Sequence, residues 1–343
     1  MRREPFACAW LIEREDRSDR VVLEANPDHW NAERGPRLAR VVFRNELTPA
    51  EALDLCVSGE GEVDVVTELS PPDAQRVLDS EHTALVAFDA NRVLAGIFNR
   101  FPRDVDLGDR RLREALNLAV DRERLIAEGF LGYANPLPAM TPPWCAGFPE
   151  GLEPRRRDAA RARALFDEAG WPDGRPLRIA APEPLAPLAE LVAADVRDAL
   201  GVEVEVIAVP AEQLLAGSKQ LVEKKLVPPW DVLVHAWFDL SSEAPPAAVH
   251  REFFGTDGAF RAGPEIPGFD ERFAVMARAV DGERMVAAAE DIDRFCHDEC
   301  LALFLCAPQS LTAVNRHVRF TAYRTTFELA ETEVGPEHWS VRG

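Results

Sequence analysis

Apolar positions along the chain recur in short stretches whose spacing switches repeatedly between two residues and 3.6. "RVVLEA" (20–25) and "ARVVFRN" (39–45) have the make-up of strands, and the Asn-Pro-Asp turn of "VVLEANPDHW" lies between them. The turn reads as structural, with Asn26 and Asp28 bonding local backbone and the following aromatic packed down as a plug. "TPAEALDLCVSG" predicts a helix with Thr48 as N-cap, Pro49 in the first turn and Gly59 as the stop. "EVDVV" (62–66) is a short strand, a helix restarts at Ser70, and "HTALVAFDA" and "VLAGIFN" (93–99) are two further strands.

Asp109 then caps one long helix. Leu112, Ala115, Leu116, Ala119, Val120 and Ile126 trace its apolar stripe, with Arg110, Arg111, Arg113, Glu114 and Arg122 largely outside it. After a Pro-rich loop (135–154), helix 158–169 ends at Gly170. Then follow strand 177–181, helix 185–200, strand 202–209, helix 211–225 and strand 231–237. This β-α-β-α-β run predicts a parallel sheet covered by helices.

Length and charge narrow the function classes. A chain of 343 residues accommodates two lobes. The longest strongly apolar run, Leu301 to Pro308, is too short to span a bilayer, so no membrane insertion is expected. A net charge of −20 argues against nucleic acid as a partner. The first twenty residues carry Glu4, Glu13, Glu15, Asp16 and Asp19 and no apolar core, which reads as a cytoplasmic chain without a signal peptide. Three lysines beside 36 arginines are ascribed to coding bias rather than to arginine chemistry. Metal chemistry is suggested only by "FCHDEC" (295–300), where Cys296 and Cys300 are spaced i, i+4 beside His297. A closed zinc site needs four ligands, and no second Cys/His pair has matching spacing. No cofactor motif and no nucleophile elbow occurs, so no enzyme activity and no cofactor are expected.

"VVLEANPDHW", "RLARVVFR", "LDLCVSGEGEVDVV", "LAGIFN", "LGDRRLREALNLAVDRERLI", "ARARALFDEAGW" and "DVLVHAWFDL…FFGTDG" occur in that order across residues 20 to 260. Together they resemble the family 5 extracellular solute-binding proteins, the dipeptide, oligopeptide and nickel receptors of ABC importers. The resemblance implies an α/β, two-lobed periplasmic-binding-protein-like fold of type II, in a reduced form without the extra N-terminal domain. Roughly the first third of the family pattern has no counterpart here. By the same resemblance lobe I is 1–98 plus the return 314–343, lobe II is 99–313, and the ligand lies in the cleft between them. The incomplete lobe I sheet implies an unpaired edge, covered by a second copy or another partner.

The family places an acidic residue a few positions after the tryptophan of "HAW" to receive a peptide's α-amino group. Asp239 is the nearest match and Glu243 the alternative, because "DLSSEAPP" departs from the family's continuation and puts peptide specificity in doubt. Trp237 is an aromatic platform for ligand or a core residue ending a strand. Phe98, Asn99 and Arg100 sit at the first crossover, lining the cleft or packing a hinge. The implied function is non-catalytic capture of a small or peptide-like ligand for an ABC permease. The alternatives are a cytosolic sensing module of the same fold or a truncated receptor, with a thiol or metal enzyme as the outsider.

Overall fold

The computed structural model describes residues 10–342 except 17–18, 32, 34, 226, 239–244, 246, 325–326, 328 and 330. The chain divides into two compact units, Met1–Ala90 with Ser310–Gly343, and Asn91–Gln309. The expected divisions lay after 98 and 313; the observed ones come earlier, before β6 (Arg92–Phe98) and part-way along a long late strand.

The smaller unit opens with β1 (Trp10–Asp16), β2 (Arg20–Ala25) and β3 (Arg40–Arg44), an antiparallel meander in the order β1-β2-β3. The turn before β3 is built as its composition predicts, with the Asp28 N–H donating to Asn26 Oδ1 at 3.1 Å. Trp30 does not plug it: 76% of its surface is exposed. Helix α1 (Pro49–Ser58) starts from a complete capping box. Glu51 N–H donates to Thr48 Oγ1 at 3.3 Å, and Thr48 N–H donates to Glu51 Oε2 at 2.9 Å. β4 (Val65–Val66), α2 (Ala74–Asp79) and β5 (Thr83–Asp89) follow. Leu53, Cys56, Val66 and Val77 form their core.

The larger unit continues from β6 through α3 (Arg110–Ala119), α4 (Arg122–Phe130), β7 (Ala134–Pro136), α5 (Ala159–Ala169) and β8 (Leu177–Pro182). Next come α6 (Ala186–Leu200), β9 (Val204–Val209), α7 (Ala211–Val222) and β10 (Val232–Phe238). Helices α8 (Ala247–Phe254), α9 (Phe269–Ala277) and α10 (Gly282–Asp298) precede β11 (Ala302–Asn315). Where the apolar stripe predicts one long helix from Asp109, there are two. Val120 is extended (φ −83°, ψ 129°), and the Asp121 side chain caps α4 by accepting from the Arg124 N–H. Arg113, Glu114 and Arg122, expected outside the stripe, are buried.

β10, β8 and β9 form the predicted parallel run, but β6 inserts antiparallel to β10, and β11 antiparallel to β6. β6 is buried on both faces, so it reads as an unbroken apolar run. Leu94 and Phe98 enter a core shared with α3 to α6, while Val93, Ala95 and Ile97 enter a second core with α8 to α10. From Ser310 on, β11 belongs to the smaller unit, where it pairs with β4. A two-stranded pairing of β12 (Val318–Arg319) and β13 (Glu333–Val334) follows.

Gly96 sits at the centre of this sheet. A Cβ there would lie 2.7 Å from Val232 Cγ1 and 3.0 Å from Leu303 Cβ, so both neighbouring strands would have to give. Gly96→Val is expected to destabilise the protein by about 1–3 kcal/mol through overpacking. Urea unfolding followed by circular dichroism checks this, and an unchanged midpoint would show that the sheet absorbs the side chain.

Candidate functional site

The register of β6 against β10 decides which predicted residues can act together. Val232 faces Phe98 and Trp237 faces Val93, so Phe98 and Trp237 lie at opposite ends of the strand pair. Five residues of strand separate those ends, about 17 Å. No small molecule touches both.

At the far end, Phe98 is a buried core side chain. Asn99 is 1% exposed; its Nδ2 donates to the carbonyls of Pro228 and Trp230 at 2.9 and 2.8 Å, and its Oδ1 accepts from Phe101 N–H. Arg100 is buried and donates to the Pro264 carbonyl at 3.0 Å. Burial, with the charges of Arg113 and Arg261 beside it, pushes its pKa down to about 10. These polar groups are engaged within the unit, fastening β6 to the segments 228–231 and 262–264.

The Trp237 end is different. Because β8, β9 and β10 run parallel, their carboxyl ends at Pro182, Val209 and Phe238 open on the same side of the unit as the start of β6. Open α/β sheets offer binding crevices at that side. Trp237 is half-buried, stacked on His235 (ring centroids 5.0 Å, interplanar 19°) and 4.0 Å from the Phe253 ring. Phe253 in turn stacks on Phe260 at 5.6 Å. Nearby in sequence to β6, Asn91 Oδ1 accepts from Cys145 Sγ at 3.2 Å, and Trp144 packs into the core that Trp237 joins.

The indole Nε1 of Trp237 and the Nδ1 of His235 are buried without a hydrogen-bond partner among the described residues. Burial lowers the His235 pKa, so the ring is neutral at physiological pH. The end of β10 therefore offers an aromatic wall with one unused N–H donor and one neutral imidazole, groups suited to apolar surface and to a carbonyl or carboxylate oxygen. Asp239 and Glu243 fall outside the described residues.

Neutral burial has a pH consequence. An imidazole whose folded pKa lies below its unfolded value of about 6.5 contributes stability that is full above that value and is lost as pH falls. His235 and His297 both have this sign, each mainly through burial. Stability is expected to decline as the pH falls below about 6.5, and His235→Phe to make that slope shallower. Denaturant midpoints at half-unit pH steps read this directly; equal slopes in the two proteins would refute it.

The metal candidates are dispersed. Helix α10 ends at Asp298, so Cys300 (φ 49°) lies beyond it and no longer shares a helix face with Cys296. Burial pushes both thiols above their usual range, Cys296 well above it. His297 Nδ1 donates to the Pro138 carbonyl at 2.7 Å. Among the described residues no group of three His, Cys, Asp or Glu could hold a metal ion.

Two buried polar clusters escaped the sequence reading. His250 Nε2 lies 2.8 Å from Asp293 Oδ1, both almost fully buried, joining α8 to α10. The signal was a polar Asp293 on the same face as Ala289, Ile292 and Cys296. The second cluster gathers Arg103 and Arg175 on Asp231. Arginine is thus used for what lysine cannot do: Arg100, Arg113, Arg122 and Arg175 are all buried donors.

The two-lobed α/β architecture, with its mixed sheet and flanking helices, is that of the type II periplasmic-binding-protein class. Residues 9–258 match the model of bacterial extracellular solute-binding proteins, family 5 Middle, and the chain belongs to this family. The glutathione-binding protein GsiB of Salmonella typhimurium is 44% identical over 64 residues, which are 19% of this chain and 12% of that protein. The crystal structure of the ABC transporter substrate-binding protein CtaP from Listeria monocytogenes superposes with TM-score 0.82 at 18% identity. The match covers 96% of this chain and 66% of CtaP. A putative peptide-binding protein AppA from Clostridium difficile gives TM-score 0.81 at 15% identity, over 95% and 67% of the two chains. The chain thus spans about two thirds of the length of the solved structures it matches, and a small part of GsiB. Among the described residues no helix is long and apolar enough to cross a membrane.

Proposed function

We propose that this chain is a non-catalytic solute receptor that holds a small, peptide-like ligand at the carboxyl end of β10 and presents it to an ABC permease. The observation carrying the reading is Trp237: a half-buried aromatic with an unused N–H donor at the strand ends where binding crevices form, in a member of a solute-binding family. The names glutathione-binding and peptide-binding carried by GsiB and AppA support a peptide-like class. Asp239 and Glu243, just beyond Trp237 in the chain, are the proposed acceptors of a ligand ammonium group. The family is extracellular by description, and the receptor is proposed to act on that side of the membrane.

The test is a thermal-shift screen with glutathione, dipeptides, tripeptides and Ni²⁺. At 100-fold over Kd a bound ligand adds about 2.7 kcal/mol to stability, a readily measured rise in Tm. For the ligand found, Trp237→Ala is expected to weaken binding at least tenfold, as for a buried aromatic anchor, while Asn99→Ala alters Tm but not affinity. If none of these compounds raises Tm, the receptor reading fails. If Trp237→Ala binds normally, the site lies elsewhere.

A further inference from the structure

Three cations of the larger unit gather on the loop from Gly258 to Pro264 without meeting a carboxylate. Arg100 follows β6 at the end remote from Trp237; its N–H donates to the Ala262 carbonyl at 2.8 Å and its Nη1 to that of Pro264 at 3.0 Å. Arg261 Nη1 donates to the Gly263 carbonyl at 2.8 Å, so two guanidinium groups sit on neighbouring carbonyls. Lys224, just after α7, donates from Nζ to the Gly258 carbonyl, which also accepts from the Arg261 N–H at 3.4 Å. Among the described residues no Asp or Glu comes within ion-pair distance of the three; Glu252 and Asp257 act on Lys224 only from further away.

Arg113 and Arg122 are buried too, but there Nε, Nη1 and Nη2 all donate to oxygens within the unit. Arg100 and Arg261 use Nη1 alone, and the Nε of Arg261 is buried without a partner. A guanidinium has five N–H donors, and buried donors left unbonded are rare. The charges also work against one another. Burial, then the charges of Arg113 and Arg261, push the Arg100 pKa down to about 10. Burial, then Arg261, lowers that of Lys224 against the opposing pull of Asp257 and Glu252. Lys224 is moreover in the left-handed region (φ 56°), where a helix end usually places glycine. Spare donors and uncompensated positive charge thus coincide at one loop of a chain whose net charge is −20.

We propose that Arg100, Lys224 and Arg261 form a binding site for a doubly charged tetrahedral oxyanion of the phosphate or sulfate type. Two planar guanidinium forks offer paired donors to separate oxygens, and the ammonium adds a point charge with rotatable donors. A dianion offsets most of the charge of three cations, where a single carboxylate offsets a third of it. The backbone carbonyls already bonded to each side chain hold the donors in place before the anion arrives, so little ordering is left to oppose binding. The site lies at the end of β6 opposite Trp237 and is independent of what binds there.

Calorimetric titration of the full chain with inorganic phosphate and with sulfate tests this, at pH 7.5 and an ionic strength held level with sodium chloride. Saturable binding at one site is expected, with acetate weaker by about tenfold or more. Lys224→Gln, at an exposed side chain, is expected to weaken phosphate binding several-fold, and Arg261→Gln by about tenfold or more. Arg278→Gln removes the same charge from an exposed position just after α9 and is expected to bind phosphate as the parent does. Glycerol phosphate separates two sources of the same group: equal affinity assigns the site to the phosphate of a larger molecule, weaker binding to the free ion, and both support it. Absence of saturable binding at millimolar phosphate would overturn the proposal. So would acetate bound as tightly as phosphate, or an equal loss in Arg278→Gln, which would mean attraction by net charge alone.

Discussion

Asp231→Ala is expected to cost about 3–5 kcal/mol, the range found when one partner of a buried ion pair is removed. The carboxylate is 1% exposed and has no spare lone pair. Oδ1 accepts from Arg103 Nη2 at 2.6 Å and Arg175 Nη2 at 2.8 Å; Oδ2 accepts from Arg175 Nη1 at 2.9 Å and from the Arg178 N–H at 2.8 Å. Asp231 raises the pKa of Arg175, first among the causes, against the opposing effect of burial. Truncation would leave Arg175 with Asp104, which is more than half exposed, and the face of Trp171 at 4.9 Å. It would also orphan the Arg178 N–H near the start of β8. Asp231→Asn should lose most of the same stability, because its amide turns a donor toward donors. Arg175→Met combined with Asp231→Leu should recover part of the loss, since burying neither charge removes both desolvation penalties. Urea midpoints for the three variants decide the matter; a loss under about 1 kcal/mol for Asp231→Ala would mean that water replaces the carboxylate.

Asp231 was invisible in the sequence for a definite reason. A lone Asp before "VLVHAWF" looks like a turn residue, and its partners stand 56 and 128 positions away. What local pattern can carry was legible. Thr48 and Asp109 were readable as caps because each precedes an apolar period and accepts a bond from the first turn. The break after Ala119 was hidden because the apolar stripe runs on through Val120 to Ile126, although Asp121 offered the cap that marks it. The parallel strands β8, β9 and β10 followed from their alternation with helices. The insertion of β6 and β11 did not, because antiparallel register between distant strands leaves no local trace.

The candidate site was legible in the same partial way. Trp237 stands out through the resemblance, as the tryptophan of "HAW", and lies near the end of β10. Phe98, Asn99 and Arg100 are placed by the resemblance at the first crossover, and the antiparallel register puts that end of β6 at the opposite end of the strand pair from Trp237. His235 was passed over as one scattered histidine. Only the stacking of its ring on Trp237, two positions on and so on the same face, brings it into the site.

Arg122→Met is expected to be nearly as damaging, about 3–5 kcal/mol, from the carbonyls it would orphan at about 1–3 kcal/mol each with partial relaxation. The guanidinium is buried and finds no carboxylate within salt-bridge distance among the described residues; it is held by backbone instead. Nε donates to the Phe304 carbonyl at 2.7 Å, and Nη1 to those of Asn117 at 3.1 Å and Arg155 at 2.9 Å. Nη2 donates to Asn117 Oδ1 at 3.2 Å. Asn117 carries the network on, donating to the carbonyls of Arg113 and Ala302. One side chain thus ties β11, the end of α3, the start of α4 and the loop before α5. Burial, and then the charge of Arg155, push its pKa down to about 10, so the fold holds this cation at a cost. That cost is recovered only through directional bonds, which makes Arg122→Lys a discriminating variant. A lysine keeps the charge but cannot reach all of these acceptors at once, and its lower intrinsic pKa brings deprotonation into the accessible range. The lysine variant is expected to lose at least 2 kcal/mol at pH 7 and to regain part of it as the pH rises toward 9. If Arg122→Lys matched the parent protein at pH 7, charge alone would hold the joint, and the planar fork of the guanidinium would have no part in it.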